Sequence, residues 1–522
     1  MKTLILFGSA LALAGQITAP DACAPKPAQY APALPAKLME GMGKVHFPIT
    51  TSSQEAQAFF NQGVAQMHSF WFPEAERSFR QAAALDPEAA MPHWGIAMVA
   101  VGDYRPRFQL QDGDNRFTPN PRGLEAAKRA RELAGKATDR ERMYIDAIYA
   151  RRVGGDDAFV EGLRKLVAKY PTEVEARSYL ALMIMKGFTL PDKKPRTPES
   201  TEAVAMLRQL MKDAPDHAGV HHYVIHGFEG SEFAKDAWHS CERYAELVPN
   251  IPHALHMPGH IYSQTGRWTD AVKSFDAAAA NERKYMAADS LYGSGHHGHN
   301  VHYLATSYAF SGEYDKAIAA AKELLAIPEN PREASAPDNV RTAQYQGFFS
   351  ALRTLVQFGK WDEVLTGDLI PAQKKPRAKA WVHWARAVAH VNKGNRAGAE
   401  AEAAEFDKAV VEYKQAMNNK VHPTLTVARL ELDAQLAVAR GDWKKARKQF
   451  GKAIAAERAL RYNEPPNYPR PAAEALGQAA MRRGDGRTAE RAFRLALEQF
   501  PSDWHAESGL RALADRSTNA GL

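Results

Sequence analysis

Histidine is concentrated in one stretch of this 522-residue chain, where 12 of its 19 histidines lie between residues 217 and 302. His222, His226 and Glu229 follow the spacing i, i+4, i+7, which places their side chains on one face of a helix. Neutral imidazole is a ligand for zinc, copper, iron and nickel, and an added carboxylate favours zinc or non-haem iron. The spacing predicts a transition-metal site built on helices.

A second stripe of the same kind lies on another predicted helix further along the chain, at i, i+3 and i+7: His253, His256 and His260. One interval of 34 residues separates three pairs: Pro215 and Pro249, His222 and His256, and His226 and His260. These histidines therefore occupy equivalent positions in consecutive structural repeats. Adjacent packed helices lie about 8 to 10 Å apart, a distance over which imidazoles can converge on one ion.

The repeat itself consists of a Gly, a polar residue and an aromatic residue, followed by Ala, an aromatic residue and Ala at helical spacing. Its clearest copies begin at Gly266, Gly441 and Gly484. The pattern resembles the tetratricopeptide repeat (TPR), a helix-turn-helix of 34 residues. It predicts an all-α solenoid of ten to eleven repeats and a closing helix from Asp503. The units begin near residues 56, 90, 140, 174, 218, 252, 298, 345, 380, 427 and 470.

The resemblance implies that the first helix of each repeat lines a concave groove. The predicted metal ligands at groove positions are His222, His226, His256, His260 and His302, together with His253 and His299. Seven histidines exceed one tetrahedral site, so either two metal ions bind or some histidines orient the ligands. The remaining histidines, including His68, are interpreted as structural; His217 flanks the groove, and His296 and His297 lie in an inserted loop.

Catalysis is one of two hypotheses for this groove. A zinc ion with an open coordination position would activate water, with Glu229 as a ligand or general base and Tyr262 and Tyr223 as candidate proton donors. Iron or copper at the same place would instead indicate oxidative chemistry. The alternative is a protein- or peptide-binding scaffold without metal, in which Trp381, Trp384, Phe349 and Arg353 anchor the ligand. A P-loop and a dinucleotide fingerprint are both absent from the sequence, so no nucleotide cofactor is expected.

The first residues predict export. Met1-Lys2-Thr3 and an apolar run to Ala14 are typical of a secretory signal peptide, which indicates a periplasmic or secreted protein. A poor lipobox argues against a lipid anchor at Cys23. The predicted divisions are a signal peptide at 1–22, a Pro-rich tether at 23–50, N-terminal repeats at 51–215, histidine-rich repeats at 216–327 and C-terminal repeats at 328–522.

A further resemblance agrees with export. The segments Phe59–Gly63, Ala83–Pro87 and His93–Gly95 resemble a group of exported bacterial TPR proteins with a histidine-rich central region. The net charge is only +7, and no run of five basic residues occurs, which argues against a nucleic-acid partner.

Overall fold

The computed structural model describes residues 36–100, 121–189, 193–288, 294–328, 338 and 340–519. The predicted signal peptide, Cys23 and the first part of the tether lie outside these residues. The described residues form 23 α-helices and no β-strand. The helices are α1 (Gln54–His68), α2 (Phe72–Leu85), α3 (Met91–Val99), α4 (Pro121–Leu133), α5 (Asp139–Gly154), α6 (Asp156–Lys169), α7 (Val174–Ile184), α8 (Pro198–Asp213), α9 (Ala218–Phe228), α10 (Trp238–Leu247), α11 (Pro252–Gln264), α12 (Trp268–Ala288), α13 (Ser294–Phe310), α14 (Tyr314–Ala326), α15 (Ala343–Gln357), α16 (Trp361–Thr366), α17 (Pro376–Asn392), α18 (Arg396–Ala416), α19 (Pro423–Ala439), α20 (Trp443–Arg458), α21 (Ala472–Arg483), α22 (Gly486–Gln499) and α23 (Trp504–Asn519).

Helices α1 to α22 form eleven consecutive pairs, and α23 closes the array. Each first helix begins within four residues of its predicted start, so the TPR-type solenoid is confirmed. The apolar and alanine positions of the repeat are buried between the two helices, as Phe275 and Ala278 are in the α11–α12 pair. Stacking the next pair covers the apolar face that each pair leaves bare.

Part of the predicted tether is packed against the helices. The Nε2 of Gln62 donates to the carbonyl oxygen of Lys37 at 2.9 Å, and the Thr50 hydroxyl donates to the Glu141 carboxylate at 2.7 Å. Phe47 is buried within this segment. Residues 36–50 therefore belong to the folded body. The prolines that suggest a tether lie before residue 36, apart from Pro48, and the later part of the segment is fixed by these hydrogen bonds and by burial of Phe47.

The C-terminal end of the array returns to its middle. The indole Nε1 of Trp268 donates to the carbonyl oxygen of Pro501 at 2.9 Å, and the rings of Phe310 and Phe500 lie 5.2 Å apart. Gly266 makes the close approach feasible, because it has φ +81° and a Cβ there would lie 2.7 Å from the Pro501 oxygen. Helices α22 and α23 thus cover the turns of the histidine-rich repeats.

The connection between α20 and α21 also enters the solenoid. The Tyr468 ring packs 6.0 Å from Trp381 and 5.9 Å from Trp384, and the Arg470 guanidinium pairs with Glu431 at 2.8 Å. Arg353 donates to the carbonyl oxygen of Pro466. This connection therefore fills the groove of the later repeats. Within the described part of the chain, no helix is both long enough and apolar enough to cross a membrane.

Candidate metal centre

Three first helices, α9, α11 and α13, carry the predicted ligands. They are the first helices of three consecutive repeats, the fifth, sixth and seventh, so their histidine faces stack side by side. His299 is half-buried. The other six histidines at these positions are buried: His222, His226, His253, His256, His260 and His302. The groove that sequence analysis predicts as histidine-lined is enclosed by the protein's own chain rather than open to solvent.

The first group consists of His222, His226 and His253, whose ring nitrogens lie within 4.8 Å of one another. The Nδ1 of His222 donates to the carbonyl oxygen of His68, and the Nδ1 of His226 pairs with Oε1 of Glu229 at 2.9 Å. An imidazole whose Nδ1–H donates to an oxygen carries its lone pair on Nε2 when neutral. Metal-bound histidines are typically oriented in this way, by an acceptor on the second nitrogen.

Phe70 covers this first group. Its ring centroid lies 4.4 Å from that of His222, 5.2 Å from His226 and 5.6 Å from His253. Phe70 comes from the turn between α1 and α2, so the N-terminal repeat contributes an apolar wall to a site built on α9 and α11. Such a wall excludes water and lowers the local dielectric.

The second group consists of His256, His260 and His299, again with ring nitrogens within 4.8 Å of one another. The Nδ1 of His256 faces the Oδ1 of Asn300 at 2.7 Å, and the Nδ1 of His260 faces Oε2 of Glu229 at 3.0 Å. The Nε2 atoms of His256 and His260 lie 2.7 Å apart. Both rings are thus oriented by oxygen acceptors, as in the first group.

The amide orientation of Asn300 fixes this arrangement. Its Nδ2 donates to the carbonyl oxygen of Phe275 at 3.0 Å and to Glu282 at 3.1 Å, so the oxygen must face His256. Two neutral rings of this tautomer would direct two lone pairs at each other, so a positive charge is needed between His256 and His260. Burial and the neighbouring histidines lower the pKa of His256 well below its usual value, which disfavours a proton there.

Glu229 joins the two groups, because one carboxylate oxygen faces His226 and the other faces His260. The residue ends α9 as its C-cap and is buried. Burial acts to raise the pKa of the Glu229 carboxyl group. His226 and His260 lower it by a larger amount, so its pKa lies well below the usual value. In this position Glu229 orients one histidine of each group, and the same carboxylate also forms a cluster with His260 and Glu464.

Sequence analysis missed Glu464 as a site residue. The connection between α20 and α21 brings its Oε2 to 3.4 Å from Nδ1 of His260. The two residues are 204 positions apart in the chain, and the local sequence Glu-Pro-Pro-Asn-Tyr-Pro is typical of a spacer. No sequence pattern places this carboxylate beside the histidines, since its position depends on the return of the C-terminal repeats.

His296 extends the network on the other side. Helix α13 begins at Ser294, so His296 and His297 lie in its first turn and not in the predicted loop. The Nε2 of His296 lies 3.1 Å from Nδ1 of His253, and its Nδ1 pairs with Glu282. His253 is therefore oriented through a histidine and a buried carboxylate in series.

Three predicted site residues lie outside both groups. The Nδ1 of His302 faces Oε1 of Gln346 at 3.2 Å. Tyr223 shares a 2.9 Å hydrogen bond with Nδ1 of His68, and the Tyr262 ring lies under the guanidinium of Arg267 at 4.6 Å.

A third cluster, of His68, Glu175 and His217, contrasts with the two histidine groups. Nε2 of His68 and Nε2 of His217 face the two oxygens of Glu175 at 2.5 and 3.0 Å. Nδ1 of His217 accepts from the Val220 N–H at 3.2 Å, while Nδ1 of His68 is bonded to Tyr223. Every ring nitrogen of this cluster is hydrogen-bonded within the protein, so the cluster is complete without an ion.

The comparisons with known proteins concern the fold alone. No family model and no curated protein matches the chain. Among solved structures, the human IFIT1 dimer with m7Gppp-AAAA is 14% identical, with 77% of this chain and 72% of that chain covered and a TM-score of 0.28. The P58(IPK) TPR domain is 11% identical (89% and 99% covered, TM-score 0.22), and the APC/C hetero-tetramer Cut9-Hcn1 is 10% identical (88% and 90% covered, TM-score 0.29).

Proposed function

We propose that this protein is a TPR-type solenoid that binds transition-metal ions in its enclosed groove. Two neighbouring sites are formed, one by His222, His226 and His253 and the other by His256, His260 and His299. The observation that carries the proposal is the common orientation of the rings. Four of the six rings, those of His222, His226, His256 and His260, direct Nδ1 at an oxygen of the protein. In each group the three histidines offer ligand nitrogens that lie within 4.8 Å of one another.

The donor set favours zinc or copper. Three neutral imidazoles suit Zn²⁺ or Cu²⁺, whereas Mg²⁺ and Ca²⁺ require oxygen ligands. Three protein ligands leave an open coordination position, at which a bound ion would lower the pKa of water or accept a ligand. Glu229 and the His296–Glu282 pair would hold the rings in place, and Phe70 would keep bulk water away from the first site.

Capture of a peptide in the groove is the alternative function. Four residues are predicted to anchor such a ligand: Trp381, Trp384, Phe349 and Arg353. Trp381, Trp384 and Arg353 contact the chain's own residues 466–470, and the Phe349 ring packs 5.4 Å from that of Trp381. A peptide would have to displace this segment. The metal proposal requires no such displacement, and we therefore prefer it.

Elemental analysis of the purified protein tests the proposal. We expect up to two equivalents of zinc or copper, reduced by about half in His226→Ala and abolished in His222→Ala/His256→Ala. His390→Ala is the matched control, because His390 lies on α17 and contacts Asn395. Circular dichroism of the metal-stripped proteins identifies a variant that fails to fold, and His226→Gln is then used in its place. Wild-type protein that holds no metal after incubation with zinc, copper or iron would contradict the proposal.

A further inference from the structure

A cavity of about 250 Å³ lies behind the histidine groups, where the end of α11, the start of α12 and the end of α22 meet the connection between α20 and α21. Its walls include the aromatic rings of Trp268, Tyr303 and Phe500. The volume is slightly below the roughly 300 to 1,000 Å³ of typical ligand sites, so the cavity suits a small molecule. The aromatic walls suit a ligand with an apolar or aromatic body.

Three cationic side chains line the same cavity: Lys193, Arg458 and Arg461. Among the residues that the structure describes, Lys193 and Arg461 form no ion pair, and Arg458 has one carboxylate neighbour, Glu498, at 3.5 Å. The three residues are exposed and come from two separate parts of the chain: Lys193 from the connection before α8, Arg458 from the last position of α20 and Arg461 from the connection that follows it.

The second carboxyl group of the cavity, that of Glu457, does little to offset this charge. Burial raises the pKa of Glu457 to about 8, and the nearby Glu431 acts in the same direction against a hydrogen bond from the Ala472 N–H. The group is therefore mostly neutral at pH 7. Glu498 is the other acidic side chain of the lining, against three cationic ones, so the cavity carries a positive charge that its own residues do not balance.

We propose that this cavity binds a small organic anion, with its carboxylate or phosphate group held by Arg458 and Arg461 and its apolar body placed against Trp268, Tyr303 and Phe500. Arginine recognises carboxylate and phosphate groups alike by paired hydrogen bonds, so either anionic group fits the two guanidinium groups.

The cavity adjoins the candidate metal centre but does not depend on it. The Ser263 hydroxyl donates to the Tyr303 hydroxyl at 3.2 Å, and the Tyr303 ring lies 5.2 Å from that of His260. One layer of side chains therefore separates a bound anion from the second histidine group. None of the three cations belongs to either group.

Calorimetric titration of the full chain, stripped of metal and held at constant ionic strength, tests the proposal. The probes are benzoate and phenyl phosphate, with benzamide as the neutral analogue. We expect one anion per chain, bound about tenfold or more tightly than benzamide. Tighter binding of benzoate identifies a carboxylate site, and tighter binding of phenyl phosphate identifies a phosphate site.

Two variants of equal charge locate the binding. Arg458→Gln/Arg461→Gln is expected to weaken binding about tenfold or more, whereas Arg491→Gln/Arg494→Gln, exposed on α22 away from the cavity, leaves it within about twofold. Anions that bind no better than benzamide, or equal losses in both variants, would overturn the proposal. Because the titrated protein is stripped of metal, the anion result does not depend on metal binding; failure to take up metal in the elemental analysis, with anion binding retained, would contradict the metal proposal alone.

Discussion

Replacing Glu229 by glutamine tests whether one carboxylate supports both histidine groups. The carboxylate accepts from Nδ1 of His226 at 2.9 Å and from Nδ1 of His260 at 3.0 Å. Glutamine has one acceptor oxygen, so one histidine keeps its partner and the other faces an amide NH₂ that cannot accept. We expect Glu229→Gln to weaken metal binding at one of the two sites.

The size of the effect follows from the lost hydrogen bond. A hydrogen bond to an ionised group contributes about 1.5 to 3 kcal/mol, and loss of a carboxylate that orients a metal-bound histidine typically costs about 10- to 100-fold in affinity. The two estimates agree, since about 1.4 kcal/mol corresponds to a tenfold change.

Competition with a chromophoric chelator measures this loss on metal-stripped protein. Glu242→Gln is the control, because it removes the same charge from an exposed position on α10. We expect the control to retain wild-type affinity. Wild-type affinity at both sites of Glu229→Gln would refute the orienting role of this carboxylate.

Three further changes probe the cover of the site, the closure of the array and the buried carboxyl group. Phe70→Ala removes the ring over the first group, so we expect faster metal release in a stopped-flow chelator chase without a change in metal stoichiometry. Gly266→Ala places a Cβ against the Pro501 oxygen, and we expect a loss of about 1 to 3 kcal/mol in urea unfolding; Gly441→Ala, with φ +77° and open space around its Cβ, should lose less. Because Glu457 has a folded-state pKa of about 8, above its ordinary value of 4.5, it binds more protons when folded and its contribution to stability falls as pH rises from about 4.5 to 8. Glu457→Gln should remove up to about 4 kcal/mol of that pH dependence, and an unchanged difference between unfolding at pH 5 and pH 8 would show that the carboxyl group ionises normally.

The repeat register is predictable because it depends on short-range packing. Glycine in the turn and alanine and aromatic residues at helical spacing determine each pair locally, and the eleven starts follow from them. The same register aligns His222 with His256 and His226 with His260. The sequence alone therefore predicts that these histidines lie on the same face of neighbouring first helices.

The sequence does not reveal that the C-terminal part of the chain packs against the middle repeats. Glu464 reaches His260 because the connection between α20 and α21 enters the solenoid, and nothing in its Pro-rich surroundings indicates this contact. His68 shows the same limit: the sequence favours a structural role, and the structure places its carbonyl oxygen on His222, beside the first group. His302 has the expected register, but Gln346 on the next first helix receives its Nδ1–H, and a register alone does not specify that neighbour.

Anomalous diffraction from crystals of the zinc- or copper-loaded protein locates any metal bound at the two histidine groups. We expect a peak about 2.0 to 2.1 Å from Nε2 of His222 and His226 and a second peak at the same distance from Nε2 of His256 and His260. A metal bound through Nδ1, or peaks confined to other histidines such as His390, would contradict this expectation.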